Sequence, residues 1–116
     1  MTLPEGLVAV VREECATCTL VRPVLERLPV HVISEDEDEG LVASYELGVE
    51  TVPTLVRVVE GREVERLVGW DRAEWRRVTG EAVLGGELPP YRPGCGSRTL
   101  DPGVADELAV RFRGST

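Results

Sequence analysis

The sequence contains no lysine, asparagine or glutamine, and all 13 of its basic side chains are arginines. Without lysine the chain cannot form a Schiff base or build the lysine-dependent phosphate sites of P-loop proteins and kinases. It also has no glycine-rich dinucleotide motif, so we do not expect it to take hydride from a nicotinamide cofactor. The absence of asparagine and glutamine suits a heat-adapted protein, whereas a bacterial codon usage that favours arginine explains the absence of lysine equally well. We therefore expect a bacterial source, and both explanations of the composition stay open.

The chain also lacks long apolar runs and an excess of positive charge. Its longest apolar run, residues 7–11, is far shorter than the ~20 residues that a transmembrane helix needs. With 21 acidic and 13 basic side chains the net charge is −8, which repels nucleic-acid backbones and anionic membrane surfaces. We therefore expect neither nucleic acid nor a membrane among the partners.

No targeting segment is evident at the N-terminus. Residues 1–6 carry no basic side chain, and the apolar stretch that follows ends at Arg12 without a small-residue cleavage pattern. We expect no signal peptide and a cytoplasmic protein. Because thiols stay mostly reduced in that compartment, the three cysteines are expected to be reactive or metal-binding rather than structural disulfides.

The 116 residues have the length of one domain, and their periodicity predicts the order β-α-β-α-β-β-α. The predicted strands are residues 7–11, 30–34, 54–60 and 63–68, and the predicted helices cover residues 20–28, 41–47 and a segment that begins at Asp71. Residues 85–100 are rich in glycine and proline and are predicted to be irregular. After them Asp101 caps a helix with the apolar stripe Ala105, Leu108, Ala109 and Phe112. We expect residues 1–84 to form the main domain and residues 85–116 an extension packed on it.

A run of five acidic residues, 35–39, follows the second predicted strand. One interpretation is a docking patch for a basic partner. The alternative, which we favour, is a solvated turn whose carboxylates stabilise the N-terminus of the next helix, because like charges on a surface loop mainly repel one another.

The motif Cys15-Ala16-Thr17-Cys18 lies between a predicted buried strand and the first turn of a helix. The free N–H groups and the dipole at a helix N-terminus favour a thiolate and lower its pKa. The first cysteine is expected at the exposed tip, where it can attack a disulfide. The second lies one turn away and can release the mixed disulfide that forms.

Five features together resemble the thioredoxin family, over about residues 7 to 84. They are the Cys15-Ala16-Thr17-Cys18 motif after a strand, Pro23 inside the following helix, Val52-Pro53-Thr54 at a strand start, the hairpin across Gly61, and Gly69 before the last helix. The resemblance implies that Pro53 is a cis-proline lying against the cysteines and that the backbone of Val52 pairs with a substrate peptide. It also implies that Thr54 and Trp70 border the substrate groove, with Trp70 either an exposed anchor or a core residue.

The chain departs from that family at several positions. Glu14 replaces the usual tryptophan before the first cysteine, and Ala16-Thr17 replaces Gly-Pro between the cysteines. Ala9 stands where thioredoxins carry a buried aspartate that accepts a proton. Glu13 or Glu14 is a candidate replacement, although an anion beside a thiolate also raises its pKa.

Cys95 is flanked by glycines, which expose the backbone and suit a reactive thiol. We weigh two interpretations, an additional relay thiol and an incidental loop cysteine. Cys15, Cys18 and Cys95 with the sole histidine, His31, are the residues that a tetrahedral metal site would require. Because His31 lies in the middle of a predicted strand, we expect neither a metal nor another cofactor.

The sequence thus predicts a thioredoxin-like three-layer α/β/α domain with a mixed four-stranded sheet and a C-terminal helix. The expected function is thiol–disulfide oxidoreductase activity, in which Cys15 attacks and Cys18 resolves. Its partners would be protein or small-molecule disulfides and an electron-donating reductase or thiol. The alternative is a non-catalytic binding or adaptor module that uses the groove around Pro53 and Trp70.

Overall fold

A mixed four-stranded sheet forms the centre of the computed structural model, which describes residues 3–114. The strand order is β2-β1-β4-β5, with β1 and β2 parallel and the other two pairs antiparallel. The strands and helices of this part are β1 (Gly6–Val11), α1 (Ala16–Glu26), β2 (Val30–Ser34), α2 (Asp38–Glu46), β3 (Thr51–Val52), β4 (Thr54–Val59), β5 (Arg62–Val68), β6 (Trp70–Asp71) and α3 (Arg72–Thr79). The predicted three-layer α/β fold is confirmed.

Strand β1 lies inside the sheet because its apolar run can be buried on both faces. Val8, Ala9 and Val10 are all fully buried. Ala9 points into the larger core cluster, which holds residues of α1 and α3, while Val8 and Val10 point to the opposite face. The sheet therefore has a core on each side, and its first strand ends beside the start of α1.

Helix α2 begins three residues earlier than predicted, because Asp38 and Glu39 form its first turn. Their negative charges are favourable at a helix N-terminus, as expected for this part of the acidic run. Gly40 lies so close to β2 that a Cβ there would meet the backbone oxygen of Ser34 at 1.8 Å. Glycine at this position thus lets α2 pack directly onto the end of β2.

The segment after α3 contains more structure than the sequence indicates. It adds β7 (Tyr91–Arg92), β8 (Cys95–Gly96) and a short 3-10 helix (Arg98–Leu100), and it ends in the predicted C-terminal helix, α4 (Pro102–Gly114). Strand β7 pairs antiparallel with β6, and β8 pairs antiparallel with β3. We call residues 89–100 the crossing segment, because they run from the α3 side of the molecule to the cysteines of α1.

The crossing segment is held by hydrogen bonds to the main domain at both ends. The indole N–H of Trp70 donates to Pro89 O at 2.7 Å, and the N–H of Arg72 donates to Pro90 O at 2.9 Å. Farther along, the N–H of Ser97 donates to Glu50 O at 3.0 Å. We propose that residues 85–116 are an extension of the domain formed by residues 1–84.

Helix α4 follows directly and packs beside the 3-10 helix. Leu108 is 1% exposed, and Arg111 lies 3.4 Å from Asp38 at the start of α2. The side chain of Phe112, the last member of the predicted stripe, lies outside the described side chains. In residues 3–114 no helix is long and apolar enough to cross a membrane.

Candidate active site

Cys15 is the N-cap residue of α1, and Cys18 lies one turn into the helix. The extended backbone of Cys15 lets its sulfur accept a hydrogen bond from the N–H of Cys18 at 3.2 Å. This bond satisfies one of the free amide groups at the helix start. The helix begins at this point because the chain leaves β1 here and enters an apolar stripe that packs on the sheet.

Both cysteines of the motif are buried, with 5% of Cys15 and 4% of Cys18 exposed. The prediction that Cys15 lies at an exposed tip is therefore wrong. The physical reason is the crossing segment, which lies over the start of α1. The Oγ of Thr17 donates to Pro93 O at 2.6 Å, and the Cys95 sulfur lies 2.6 Å from the Cys15 sulfur.

Strand β8 forms hydrogen bonds to the backbone of β3, with which it pairs antiparallel. Val52 is opposite Cys95 and Thr51 is opposite Gly96. The thiol of Cys15 also donates to Val52 O at 3.6 Å, so Val52 contacts both cysteines. Gly94 makes this approach possible, because a Cβ there would lie 2.5 Å from Val52 O.

The open substrate groove predicted around Val52, Pro53 and Thr54 is consequently closed in this structure. All three residues are buried, and the peptide bond between Val52 and Pro53 is cis. The backbone edge that was expected to pair with a substrate pairs instead with residues of the same chain. Sequence patterns missed this contact because Cys95 lies far along the chain in a segment without periodicity.

Trp70 is a core residue and does not form an exposed anchor. It is fully buried, and its ring meets that of Trp75 edge-to-face with centroids 5.0 Å apart. Its indole N–H is bonded to Pro89 O, as described above. The assignment of Trp70 to a substrate-binding surface is thus corrected. Trp70 is a core residue, and its indole N–H is hydrogen-bonded to the first residue of the crossing segment.

The three thiols differ in their electrostatic environments. Burial raises the pKa of Cys15, and its hydrogen bond to Cys95 raises it further. The pKa of Cys18 is raised strongly, again mainly by burial. A lowered pKa for Cys15 was expected from its place at the helix start, and the structure contradicts it because the desolvated sulfur faces another sulfur.

Cys95 has the environment that was predicted for Cys15. Partial burial works to raise its pKa, but hydrogen bonds from Cys15, Thr17 N–H and Ala16 N–H, together with the charge of Arg12, outweigh burial and lower it. The free amides of the helix start thus point at Cys95. Its side chain is partly exposed, unlike the other two.

A buried carboxylate anchors the far end of the crossing segment. Glu35 is fully buried and accepts hydrogen bonds from the hydroxyls of Ser44 (2.5 Å) and Ser97 and from the N–H of Arg98 (2.8 Å). The guanidinium of Arg98 also donates to Glu35 O at 2.6 Å. Glu35 was predicted to belong to a solvated turn, and that prediction is wrong for this residue because its buried carboxylate accepts hydrogen bonds from three donors within the protein.

The described side chains include no group of three or more histidine, cysteine, aspartate and glutamate residues placed to hold a metal ion. His31 is exposed in β2, where it is opposite Val8 in the sheet.

A cleft of about 280 Å³ has Cys18 among its lining residues. All of its lining residues lie between Val11 and Ser34, and they include Arg12, Arg22 and Glu26. Cys15 is not among the residues that line this cleft.

Comparison with known proteins decides the family. No family model matches the sequence. A thioredoxin of Chlamydia muridarum is 36% identical over 75 residues, which cover 59% of this chain and 74% of that protein. The chain belongs to the thioredoxin family. Thioredoxin H-type 1 of Nicotiana tabacum is 38% identical over 66 residues, which cover 52% of each chain.

Solved structures agree with this thioredoxin fold. Thioredoxin O2 from Arabidopsis thaliana, in its oxidised state, superposes with a TM-score of 0.56 at 24% identity and covers 65% of this chain and 71% of that one. The Malassezia sympodialis thioredoxin gives a TM-score of 0.54 at 18% identity, with the same coverage of both chains. As a thioredoxin-family protein, the chain is a thiol–disulfide oxidoreductase in general terms.

Proposed function

We propose that Cys15 and Cys18 are the redox-active pair of this thioredoxin-family protein and that they cycle between a dithiol and a disulfide. The observation that carries the proposal is their position: an N-cap sulfur and a thiol one turn later, joined by the N–H of Cys18. In this arrangement the second sulfur is within reach of the first, as a resolving thiol must be.

The exchange requires two displacements at sulfur. The Cys15 sulfur becomes bonded to a sulfur of the incoming disulfide, and one substrate thiolate leaves. The Cys18 sulfur then attacks that of Cys15, which releases the partner and forms the Cys15–Cys18 disulfide. Two electrons pass to the substrate, and an external thiol or reductase must return them.

The substrates that fit this chemistry are disulfides of proteins or of small thiols. We place the partner's contact at the backbone of Val52, beside Pro53 and Thr54, because Val52 O lies within hydrogen-bonding distance of the Cys15 thiol. In this structure Cys95 of the same chain holds that place. The alternative of an adaptor module loses its support, since the surface around Pro53 and Trp70 is covered.

The proposal is tested by measuring reduction of insulin and of an aryl disulfide probe with a dithiol as electron donor. We expect Cys15→Ser and Cys18→Ser to lose turnover by about 100-fold or more, because each removes one sulfur of the pair. Thr19→Ser, at an exposed position in the same helix, is the control and should keep full turnover. Full activity of Cys15→Ser with a native circular dichroism spectrum would contradict the proposal.

A further inference from the structure

Three sulfurs are in one cluster, and Cys15 is the middle one. The Cys15 sulfur accepts the N–H of Cys18 on one side and lies 2.6 Å from the Cys95 sulfur on the other. The Cys15 sulfur therefore lies beside both of the other cysteines. The proposed Cys15–Cys18 pair leaves the third thiol without a role.

The three thiols differ in their accessibility to solvent. Cys95 is partly exposed, whereas Cys15 lies beneath it and Cys18 is buried in the helix. A disulfide that approaches from the face of the crossing segment meets the Cys95 sulfur first. It reaches Cys15 only if β8 moves away from β3.

Movement of β8 is opposed by many contacts. Gly96 O accepts from the guanidinium of Arg12 at 2.9 Å, and Pro93 O accepts from Thr17. Beyond β8, Ser97 and Arg98 are bonded to the buried Glu35. Displacing the segment would leave that carboxylate without two of its three donors, which is costly. The observations thus favour exchange through Cys95 over opening of the groove.

We propose that Cys95 is the entry thiol of this enzyme, which attacks the substrate disulfide first and passes the oxidation through Cys15 to Cys18. The proposal rests on the assignment of Cys15 and Cys18 as the redox-active pair and changes one step of their cycle: the disulfide that Cys15 attacks is the mixed disulfide between Cys95 and the substrate. Cys95 also has the backbone N–H groups of Ala16 and Thr17 directed at its sulfur, which suits a thiolate nucleophile.

The relay consists of three thiol–disulfide exchange steps, in each of which one S–S bond forms and one breaks. The Cys95 thiolate attacks the substrate disulfide, forms a mixed disulfide and expels one substrate thiolate. Cys15 attacks the Cys95 sulfur, expels the second substrate thiolate and forms the Cys15–Cys95 disulfide. Cys18 then attacks Cys15 and expels the Cys95 thiolate, a good leaving group at lowered pKa. The protons of Cys15 and Cys18 pass to the two substrate thiolates. An external dithiol then reduces the Cys15–Cys18 disulfide.

Trapping variants of the full-length protein test each step. The reduced protein is mixed with one equivalent of an aryl disulfide probe, quenched with acid, alkylated and mapped by mass spectrometry. With Cys15→Ser we expect the probe's half to remain on Cys95. With Cys18→Ser we expect the Cys15–Cys95 disulfide to accumulate. A probe adduct on Cys15 of the Cys18→Ser variant, with Cys95 free, would overturn the relay.

The Cys95→Ser variant gives an independent measurement. We expect release of the first aryl thiol to slow by more than about tenfold, since the remaining thiols are buried and less ionised. Gly96→Ala is the matched control, because a Cβ at that position meets nothing within 4 Å. An unchanged or faster rate in Cys95→Ser would mean that β8 only covers Cys15, and the relay would be wrong.

Failure of the relay is distinguishable from failure of the proposed function. If the wild-type protein forms the Cys15–Cys18 disulfide but Cys95→Ser does so equally fast, only the relay fails. If the wild-type protein never forms that disulfide while Cys95 takes up the probe, the function assigned to the pair fails and Cys95 acts alone.

Discussion

The sulfurs of Cys15 and Cys95 lie 2.6 Å apart although the residues are 80 positions apart in the chain. Pairing of β8 with β3 produces this contact, and the Glu35 network fixes the segment that follows β8. The proposed redox pair, Cys15 and Cys18, is thereby buried beneath a third thiol of its own chain.

Removal of the Glu35 carboxylate should loosen the crossing segment. We expect Glu35→Ala to lower the free energy of unfolding by about 3 kcal/mol, because Ser44, Ser97 and Arg98 lose a buried acceptor. Amide exchange of residues 96–99 should accelerate at the same time. Glu37→Ala is the control, since Glu37 is exposed and makes no capping hydrogen bond, and equal effects of the two variants would refute this role of Glu35.

A methyl group at Gly94 should separate β8 from β3. The added Cβ would lie 2.5 Å from Val52 O, a backbone atom that cannot easily move. We expect Gly94→Ala to lower stability by about 1–3 kcal/mol and to slow formation of the Cys15–Cys95 disulfide in the Cys18→Ser background. Gly96→Ala serves as the control with no close neighbour. Disulfide formation at the wild-type rate in Gly94→Ala would show that the pairing does not position Cys95.

Loss of the Arg12 charge should shift the pH dependence of the alkylation rate of Cys95. The charge of Arg12 helps to lower the pKa of Cys95, so Arg12→Met should raise it. The midpoint of the pH–rate profile for alkylation of Cys95 then moves to higher pH. Arg22→Met, at an exposed position, should leave the midpoint in place. An unchanged midpoint in Arg12→Met would mean that the helix amides alone determine the reactivity of Cys95.

Burial of Cys18 should make the reduced protein less stable at alkaline pH. The pKa of Cys18 is higher in the folded than in the unfolded state, so its protonated form favours folding. This contribution is complete below the unfolded pKa of about 8.5 and is lost as the pH rises above it. Urea unfolding at pH 7 and pH 10 measures the loss, which should be smaller in Cys18→Ala. An identical loss in both proteins would assign the alkaline sensitivity to other groups.

The main domain could be predicted from the sequence because its signals are local. The apolar run of β1, the helical stripe of α1 and the turn at Gly61 each arise within a few residues, and together they predict the sheet. The motif Cys15-Ala16-Thr17-Cys18 likewise identified the start of α1. Its position was predicted, but its burial was not.

Burial of the site depends on contacts that leave no periodic pattern. Strands β7 and β8 have two residues each, too few to show alternation. The glycines on either side of Cys95 were the available signal, and Gly94 is indeed where the backbone of β3 approaches closely. Glu35 was assigned to solvent because its neighbours are acidic, and only the tertiary structure reveals its donors.

An equilibrium redox titration of the wild-type protein in thiol–disulfide buffers, read by alkylation and mass mapping, tests the central claim most directly. The account predicts one two-electron transition in which the Cys15–Cys18 disulfide appears, with Cys95 a free thiol in the fully reduced and fully oxidised states. A transition that leaves Cys18 free and ends on a stable Cys15–Cys95 disulfide would contradict it.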